Sequence, residues 1–174
     1  MKNKRVLLSG GSGFIGSHLA KRLFSLGADV SVIVKYKSVI DNIRLSSIWN
    51  EITIFEADLR NIDSLRQFKN SNFDYIFHLA AYNHVGDSFL HVSEALTSNV
   101  VATANFLEYA PKFDKFVYMS TSEVYGYQER LPFTEEMTPH PISPYSIGKY
   151  AGELYSLMKR KQDSRQIACV RAFN

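Results

Sequence analysis

The sequence predicts an α/β fold, with a doubly wound parallel sheet that carries helices on both faces. One observation is that six short apolar runs alternate with stretches of helical periodicity along the 174 residues. Such alternation is typical of parallel strands joined by right-handed helical crossovers. The other observation is a glycine-rich turn that leads from the first apolar run directly into a helix. The predicted strands are residues 6–8, 30–34, 52–55, 75–79, 116–119 and 167–170.

Helices are predicted in the gaps between these strands, from apolar spacing and from residues that begin or end helices. Apolar residues fall on one face of the first helix, and Gly27 lies where that helix should end. Asn61 suits the N-cap of the second helix, because its side chain can accept from a free backbone N–H. Pro111 sets the end of the third, since proline cannot continue a helix. The predicted helices span residues 15–26, 61–68, 94–109 and 145–160, and the proline-rich segment 128–144 is predicted to be a loop.

Length and composition indicate one ordinary globular domain. The chain has 45% hydrophobic residues, 21% charged residues and a net charge of +3, and a chain of this length can bury a substantial core. The basic residues are scattered rather than clustered with aromatics, which argues against a nucleic-acid surface. No apolar run is long enough to cross a bilayer, so no membrane partner is predicted. The lone Cys169 cannot form an internal disulfide, which favours a cytoplasmic location.

The glycine turn predicts a site for a dinucleotide pyrophosphate. The glycines fit two overlapping patterns, Gly10-x-x-Gly13-x-x-Gly16 and Gly11-x-Gly13-x-x-Gly16, and both predict the same kind of turn. Residues without a Cβ let the backbone turn sharply and let a pyrophosphate approach the free N–H groups at the start of the helix. The positive end of the helix dipole faces the same anion. Because a strand precedes the turn and a helix follows it, residues 1–174 are predicted to form a Rossmann dinucleotide-binding domain.

The end of the second strand favours NADP over NAD as the cofactor. Sites for NAD carry an acidic residue about 20 positions beyond the glycines, where it holds the ribose hydroxyls. Here the strand ends at Val34 and no carboxylate follows it, whereas Lys35 and Lys37 stand in that place. Two ammonium groups suit the 2′-phosphate of NADP. The alternative is NAD, with both lysines as solvated loop residues.

Three polar residues near predicted strand ends are further candidates. Asp58 follows the third strand and can accept a hydrogen bond from an adenine amino group, although an Asp in this place is equally suited to cap a helix. His78 ends the fourth strand and is interpreted as a buried structural histidine. His84 lies in the polar loop beyond that strand, where strand ends meet ligands, and is a candidate for substrate binding.

Two segments contain the groups suited to chemistry on an alcohol. Thr121 follows the fifth strand at the carboxyl edge of the sheet, where ligands of open α/β sheets bind. Tyr145 and Lys149 are four residues apart on a predicted helix and therefore lie on one face. A tyrosine with a pKa of about 10 is a poor base at neutral pH, but an adjacent ammonium and an oxidised nicotinamide favour its phenolate form. The sequence predicts that Tyr145 acts as the base, supported by Lys149, and that Thr121 orients the same substrate oxygen.

These motifs together resemble the extended short-chain dehydrogenases, which include nucleotide-sugar epimerases, dehydratases and decarboxylases. The matching segments are the glycine turn, Asp58-Leu59, residues 78–81, residues 120–126 and Tyr145-x-x-x-Lys149. The resemblance implies an NAD(P) cofactor, a nucleoside-diphosphate sugar as substrate and catalytic positions for Thr121, Tyr145 and Lys149. It also implies that Asn174 contacts the substrate pyrophosphate. The implied cofactor contacts are Gly10, Gly13, Phe14, Ile15, Asp58, Leu59, Leu79, Ala80, Ala81, Asn99, Tyr145 and Lys149.

Glu123 distinguishes the reactions within this family. A carboxylate at this position can remove the C5 proton of the sugar once C4 is a ketone, and loss of the C6 hydroxyl then completes a 4,6-dehydration. The segment Thr121-Ser122-Glu123 is similar to that of sugar-nucleotide 4,6-dehydratases, whereas epimerases of the family usually carry small or neutral residues here. UDP-glucuronate decarboxylases share the segment, and Ser122 stands where some dehydratases have an Asp. We include Ser122 and Glu123 among the catalytic candidates and favour a 4,6-dehydratase, with 4-epimerase and decarboxylase as alternatives.

The resemblance also bears on domain organisation and assembly. The family's C-terminal substrate domain is absent from residues 1–174, so we expect a cofactor-binding part with little turnover by itself. An interpretation of another class is a dinucleotide-binding module without turnover. The family implies a homodimer through the helix pair 94–109 and 145–160. No metal site is predicted.

Overall fold

The fold is built on one parallel sheet, and the computed structural model describes residues 1–38, 42–109 and 111–173. The strands are Arg5–Ser9 (β1), Asp29–Val34 (β2), Thr53–Glu56 (β3), Asn72–His78 (β4), Lys112–Thr121 (β5) and Ile167–Ala172 (β6). They lie in the order β3-β2-β1-β4-β5-β6, and all neighbouring pairs are parallel. This confirms the predicted doubly wound Rossmann sheet. The chain moves outward from β1 to β3 and returns to the other side of β1, so a crevice opens at the carboxyl ends of β1 and β4.

Helices connect the strands on both faces of the sheet. The α-helices are Phe14–Ser25 (α1), Ile62–Leu65 (α2), Val92–Leu96 (α3), Ala102–Tyr109 (α4) and Pro144–Gln162 (α5). A π-helical segment, Thr97–Val101, joins α3 to α4, so this stretch is helical throughout and starts slightly before the predicted residue 94. Short 3₁₀ turns cover Ile43–Ile48, Arg66–Phe68, Asp87–Phe89 and Ser122–Tyr125. Within the described ranges, no helix is both long enough and apolar enough to span a bilayer.

Local signals set the start of α5, the helix that carries Tyr145. The Ser143 hydroxyl accepts from the N–H of Ser146 at 3.1 Å, and the Ser146 hydroxyl accepts from the N–H of Ser143 at 3.0 Å. This reciprocal pair is a capping box, and it satisfies two N–H groups that a helix leaves without partners. Pro144 follows in the first turn, where a backbone N–H would have no partner within the helix, so proline costs no hydrogen bond. The first turn of α5 is therefore held firmly next to the strand ends.

Three local features differ from the sequence prediction. β4 and β5 begin at Asn72 and Lys112, earlier than predicted, because backbone pairing between these two residues extends beyond the apolar core. The predicted helix 61–68 is α-helical only in its first part and ends as a 3₁₀ turn, although Asn61 caps it as predicted by accepting from the Asp63 N–H at 2.9 Å. The 3₁₀ turn Ile43–Ile48 has no counterpart in the prediction, and its buried side chains pack with α1.

The core lies in two layers, one on each face of the sheet. Alternate residues of β1 point to opposite faces, so Val6 and Leu8 pack with α1, whereas Leu7 packs with Phe106 and Leu107 of α4. All five side chains are almost completely buried. These two layers hold β1 and β4 in place, and the loops that follow these strands form the candidate site.

Candidate active site

The glycine turn lies between β1 and α1, and its backbone passes very close to neighbouring backbone. Gly10 has a φ of 68°, and a Cβ built there would lie 2.7 Å from the backbone nitrogen of Ala80. A Cβ on Gly16 would overlap the carbonyl oxygen of Gly10 and lie 2.9 Å from the Cα of Gly11. Backbone atoms cannot rotate away as side chains can, so both positions require glycine. The turn thus brings β1, α1 and the loop after β4 into direct backbone contact.

The start of α1 is open to an anion. Among the described residues, no side chain caps this helix at Gly13, and its first turn contains no acidic residue. The first N–H groups of a helix have no partner within it, and the helix dipole adds partial positive charge there. A Cβ on Gly13 would meet only the carbonyl oxygen of Gly10, at 3.3 Å. The protein therefore leaves free the space that a phosphate would fill at this helix start.

Two clefts open at this edge of the sheet, and both include Gly10 and Ala81. The first cleft, of about 300 Å³, extends over the ends of β2 and β3, and the second, of about 340 Å³, extends over the end of β5 and the start of α5. Because the clefts meet at the glycine turn, they suit an elongated ligand with a pyrophosphate at its centre. The predicted cofactor residues that line one cleft or both are Gly10, Gly13, Phe14, Ile15, Lys35, Asp58, Leu59, Leu79, Ala80, Ala81, Tyr145 and Lys149.

The first cleft contains a cluster of charged side chains. Arg60 binds the Asp58 carboxylate through its guanidinium, with Nη2···Oδ2 at 2.6 Å and Nε···Oδ1 at 2.9 Å, and through its backbone N–H, which donates to Oδ1 at 3.0 Å. This contact holds the pKa of Asp58 below its usual range and the pKa of Arg60 above its usual range. Lys35 lines the same cleft, and its charge also lowers the pKa of Asp58. The sequence analysis missed Arg60, although its position two residues after Asp58 was a signal that could have found it.

Lys37 is placed differently from the expectation that both lysines face a 2′-phosphate. It is not among the described residues that line the first cleft. Its backbone N–H donates to the Glu56 carboxylate at 2.8 Å. The acidic group near the end of β2 therefore comes from β3, where Glu56 pairs in register with Val34. The cations that line this cleft are Lys35 and Arg60 rather than the predicted pair of lysines.

The loop after β4, residues 79–83, forms the wall that the two clefts share. Its start is held by β1, because the Leu79 N–H donates to the Ser9 carbonyl at 3.1 Å and the Ala80 N–H donates to the Ser9 hydroxyl at 3.3 Å. Its middle is held by Asn99, whose side chain accepts from the Tyr82 N–H at 2.8 Å and donates to the Tyr82 carbonyl at 3.1 Å. Both ends of the Asn99 amide are thus occupied. Asn99 therefore holds the loop in place through Tyr82 and does not line either cleft, which differs from its expected cofactor contact.

His78 is completely buried at the end of β4 and has the structural role that the sequence indicated. The Thr103 hydroxyl donates to the Asn99 carbonyl at 2.8 Å, so it accepts from Nε2 of His78, 3.0 Å away. The proton therefore resides on Nε2, and Nδ1 accepts from the Ser9 hydroxyl at 2.6 Å. Burial lowers the pKa of His78 to about 3, so the ring is neutral at physiological pH.

The second cleft brings together Thr121, Glu123, Tyr145 and Lys149. Thr121 is the last residue of β5, and its hydroxyl accepts from the Glu123 N–H at 3.2 Å, which caps the 3₁₀ turn. Tyr145 and Lys149 lie one turn apart in α5 and face the same cleft, as their spacing predicted. Four functional residues from two separate segments therefore line one cleft.

The protonation of Tyr145 differs from the sequence expectation. Burial raises the pKa of Tyr145, a hydrogen bond with Thr121 opposes that rise, and the charge of Glu123 adds to it. The Lys149 ammonium, which was expected to favour the phenolate, donates to the Met119 carbonyl and lies 4.5 Å from the centre of the Tyr118 ring. A spacing of four residues puts two side chains on one helix face, but it does not direct their polar groups toward each other.

The remaining predicted site residues lie away from the clefts or outside the described ranges. The His84 ring is exposed, and its Nδ1 accepts from the Asp87 N–H at 3.1 Å, whereas its neighbours Asn83 and Val85 line the second cleft. Ser122 is not among the described residues that line that cleft, since successive side chains of a 3₁₀ turn point in different directions. Asn174 lies outside the described residues. The sequence analysis missed Asn83 and Val85, and only their proximity to His84 pointed to them.

Comparison with known proteins identifies the family. The NAD dependent epimerase/dehydratase family matches residues 6–174. This chain belongs to that family. Among its curated relatives, a UDP-glucose 4-epimerase of Cyamopsis tetragonoloba is 34% identical over 180 residues, which is 97% of this chain and 51% of the relative. The chain spans about half the length of the curated epimerases that it matches.

Solved structures of epimerase/dehydratase family members share this fold. The UDP-N-acetylglucosamine 4-epimerase of Methanobrevibacter ruminantium M1 has a TM-score of 0.87 at 29% identity, over 100% of this chain and 56% of that chain. DesIV, a dTDP-glucose 4,6-dehydratase of Streptomyces venezuelae whose structure holds NAD, has a TM-score of 0.86 at 27% identity, over 96% of this chain and 55% of that chain. Both reactions thus occur on this fold, so family membership does not choose between them.

Proposed function

We propose that residues 1–174 are the dinucleotide-binding domain of an enzyme that modifies a nucleoside-diphosphate sugar with a nicotinamide dinucleotide. The observation that carries this proposal is the second cleft, where Thr121, Glu123, Tyr145 and Lys149 lie together beside the glycine turn. The relatives support it, because they are named as epimerases or dehydratases of nucleotide sugars. A tyrosine, a threonine and a lysine around one cleft suit the oxidation of a sugar hydroxyl.

The residues around the glycine turn fit such a cofactor. Gly10 and Gly16 let the turn pack closely on neighbouring backbone, and Gly13 leaves room for a pyrophosphate at the start of α1. The first cleft would hold the adenosine half, and the second would hold the nicotinamide half next to Tyr145. A nicotinamide held there would supply the hydride acceptor for oxidation of the carbon that carries the substrate alcohol.

Tyr145 is the proposed base for the sugar 4-hydroxyl. Thr121 and Tyr145 line the same cleft, so one substrate oxygen can contact both hydroxyl groups. Positive charge must approach Tyr145 before it can act near neutral pH, because burial and Glu123 both raise its pKa. Lys149 can supply that charge by turning its ammonium from the Met119 carbonyl toward the cleft that it already lines.

We propose 4,6-dehydration as the reaction because of Glu123. Its carboxylate belongs to the second cleft and lies close enough to Tyr145 to raise the pKa of that residue. After oxidation at C4, the C5 proton is acidic, and a carboxylate in this place can remove it and pass it to the C6 hydroxyl, which leaves as water. The hydride taken from C4 then returns to C6 and a proton returns to C5, which gives the 4-keto-6-deoxy sugar. Ser122 lies outside the cleft lining, so we assign it no proton transfer.

A 4-epimerase is the second candidate, and the relatives favour it. Three curated relatives are named UDP-glucose 4-epimerases or a bifunctional 4-epimerase, at 28% to 34% identity. Epimerisation needs oxidation and reduction at C4 alone, for which Thr121, Tyr145 and Lys149 with a bound dinucleotide would suffice. Glu123 would then have no chemical role, which makes it the residue that separates the two candidates.

One experiment with two variants separates these reactions. The chain, and any longer protein that contains it, is incubated in D₂O with UDP-, dTDP- and GDP-hexoses. Tyr145→Phe should abolish every reaction, because oxidation comes first. Glu123→Gln should still reduce the bound cofactor, but it should block the 4-keto-6-deoxy product and deuterium incorporation at C5. The dehydratase proposal is wrong if this variant forms that product at the parental rate, and a 4-epimer formed by the parent would establish the epimerase. Cofactor binding with no reaction on any sugar would favour a binding module.

We propose NADP as the preferred cofactor, supported by Lys35 and Arg60 in the first cleft. The support is weaker than the sequence suggested, because Asp58 neutralises part of the Arg60 charge and Lys37 lies outside the cleft lining. NAD is the alternative, and NAD is what the DesIV structure holds. Relative affinities for the two dinucleotides decide between them.

We also propose that two copies associate through the helical stretch from Val92 to Tyr109 and through α5. These helices pack against each other on the same side of the sheet, as the sequence predicted. Phe106 and Leu107 of the first helical stretch are buried in the core and are not available for such a contact. Leu154 and Leu157 of α5 are 49% and 38% exposed and can take part in a contact between copies.

A further inference from the structure

A buried ion pair between Glu153 and Arg171 lies close to Lys149, and no step of the proposed reaction uses it. Glu153 is one turn beyond Lys149 in α5, and its side chain is 3% exposed. It accepts from Arg171, with Nη2···Oε1 at 2.6 Å, and from the Ser120 hydroxyl at 2.6 Å. A buried carboxylate is unfavourable unless it is both paired and hydrogen-bonded, and this one is both.

The ion pair connects the elements that form the second cleft. Glu153 lies in α5, Arg171 lies in β6, and Ser120 lies in β5 directly before Thr121. The Arg171 guanidinium also lies 4.7 Å from the centre of the Tyr125 ring, in the 3₁₀ turn that follows β5. A buried ion pair is weak evidence for stability, because apolar residues of similar volume often stabilise a protein equally well. The charges of Glu153 and Arg171 therefore need an explanation other than stability.

Lys149 is the cation that the Glu153 carboxylate can affect, because the two buried residues lie one turn apart in α5 and their side chains hydrogen-bond the consecutive β5 residues Met119 and Ser120. The other titratable groups that face Lys149 from the described elements are His78 of β4, Tyr118 of β5 and Cys169 of β6. Burial lowers the pKa of His78 to about 3, raises the pKa of Cys169 to about 12 and raises the pKa of Tyr118 above its usual range. All three are thus neutral at physiological pH. Tyr145 and Glu123 also line the cleft that Lys149 faces, and Glu153 is the carboxylate among the described groups that acts on the pKa of Lys149.

We propose that Glu153 is a positioning residue that keeps Lys149 protonated and so holds its ammonium between the Met119 carbonyl and the Tyr118 ring. Only a charged ammonium is attracted to the face of an aromatic ring, so a neutral Lys149 would lose this contact. Burial lowers the pKa of Lys149 to about 8 although Glu153 opposes the change. Without the Glu153 charge, Arg171 would be an unpaired cation in the same region and would lower that pKa further. The proposal concerns the resting position of Lys149, and its charge does not depend on the proposed function. Only the consequence for catalysis rests on that function, in which a Lys149 that stays protonated can turn its charge toward Tyr145.

The charge of Lys149 can be measured on the chain without substrate or cofactor. Lysine labelled with ¹³C at Cε is incorporated, the Lys149 signal is assigned with Lys149→Arg, and its chemical shift is followed against pH. We expect Glu153→Gln to lower the pKa of Lys149 by about one unit or more, which is what a nearby opposite charge contributes. Glu153→Asp should restore most of the parental value. An unchanged Lys149 pKa in Glu153→Gln refutes the proposal.

Arg171→Gln is the matched control, because it breaks the same ion pair but leaves the carboxylate. If the charge of the pair acts on Lys149, Arg171→Gln raises the Lys149 pKa whereas Glu153→Gln lowers it. If the pair acts only through structure, both variants move the pKa in the same direction, and the proposal is wrong. Circular dichroism shows which variants are folded. If Glu153→Gln does not fold, a higher Lys149 pKa in Arg171→Gln than in the parent supports the proposal, and a lower one refutes it. The titration needs no turnover, so its outcome is separate from that of the proposed function.

Discussion

Replacing Gly13 by alanine should weaken dinucleotide binding while leaving the fold almost unchanged. In the structure a Cβ at this position meets only the Gly10 carbonyl oxygen, at 3.3 Å, which a small shift relieves. Gly13 caps α1 with φ −66° and ψ 174°, a conformation open to any residue. Since alanine is a poorer N-cap than glycine, the free energy of unfolding should fall by about 1 kcal/mol or less.

The effect of Gly13→Ala on binding should be larger, because the added methyl group occupies the approach of the pyrophosphate to the start of α1. A hydrogen bond to a charged group contributes about 1.5–3 kcal/mol, so the loss of one such bond weakens binding roughly 10- to 150-fold. Isothermal titration with NAD and with NADP measures the affinity, and urea denaturation measures the stability. Parental affinity in Gly13→Ala would refute the placement of the pyrophosphate.

Gly16→Ala is the matched variant that should affect folding first. Its Cβ would overlap the Gly10 carbonyl oxygen and lie 2.9 Å from the Cα of Gly11, and both neighbours are backbone. Alanine is favoured over glycine inside a helix by about 1 kcal/mol, whereas overpacking typically costs about 1–3 kcal/mol. Because only backbone atoms could give way, we expect the cost to lie at or above the upper end of this range, with a net loss of about 2 kcal/mol or more in the free energy of unfolding. A variant more stable than the parent would show that this backbone contact is not as close as described.

The remaining predictions concern the cofactor, acid stability and assembly. Lys35→Ala should weaken NADP binding and leave NAD binding unchanged, and Lys37→Ala is the control that should affect neither. If the parent binds NAD at least as tightly as NADP, the proposed preference for NADP is wrong. Stability should decline as the pH falls from 6.5 toward about 3, because the unfolded chain then protonates His78 whereas the folded state keeps it neutral. The decline from this residue is at most about 1.4 kcal/mol per pH unit, and an equally steep decline in His78→Asn would contradict this assignment. Light scattering should find a dimer that Leu154→Glu with Leu157→Glu converts to a monomer, and a monomeric parent at high concentration would count against the helix contact.

The sequence by itself determined the order of strands and helices, the glycine turn and most of the second cleft. These features follow from local patterns: apolar periodicity, residues that begin or end helices, and functional side chains at strand ends or one helical turn apart. Thr121 lies at the end of a parallel strand, and all such ends meet at one edge of the sheet. Tyr145 and Lys149 share a face because of helix geometry. Their positions therefore needed no knowledge of distant contacts.

Only the tertiary structure decided which partner each polar group has. Lys149 engages Met119, 30 residues earlier in the chain, and Lys37 meets a carboxylate from the neighbouring strand 19 residues later. Glu153 pairs with Arg171 across 18 residues, although nothing in its own segment marks it as buried. Hydrogen bonds and ion pairs form or fail on differences of a few tenths of an ångström in the distance between two polar atoms. Those atoms come from segments that the sheet brings together, so the periodicity of one segment does not contain that information.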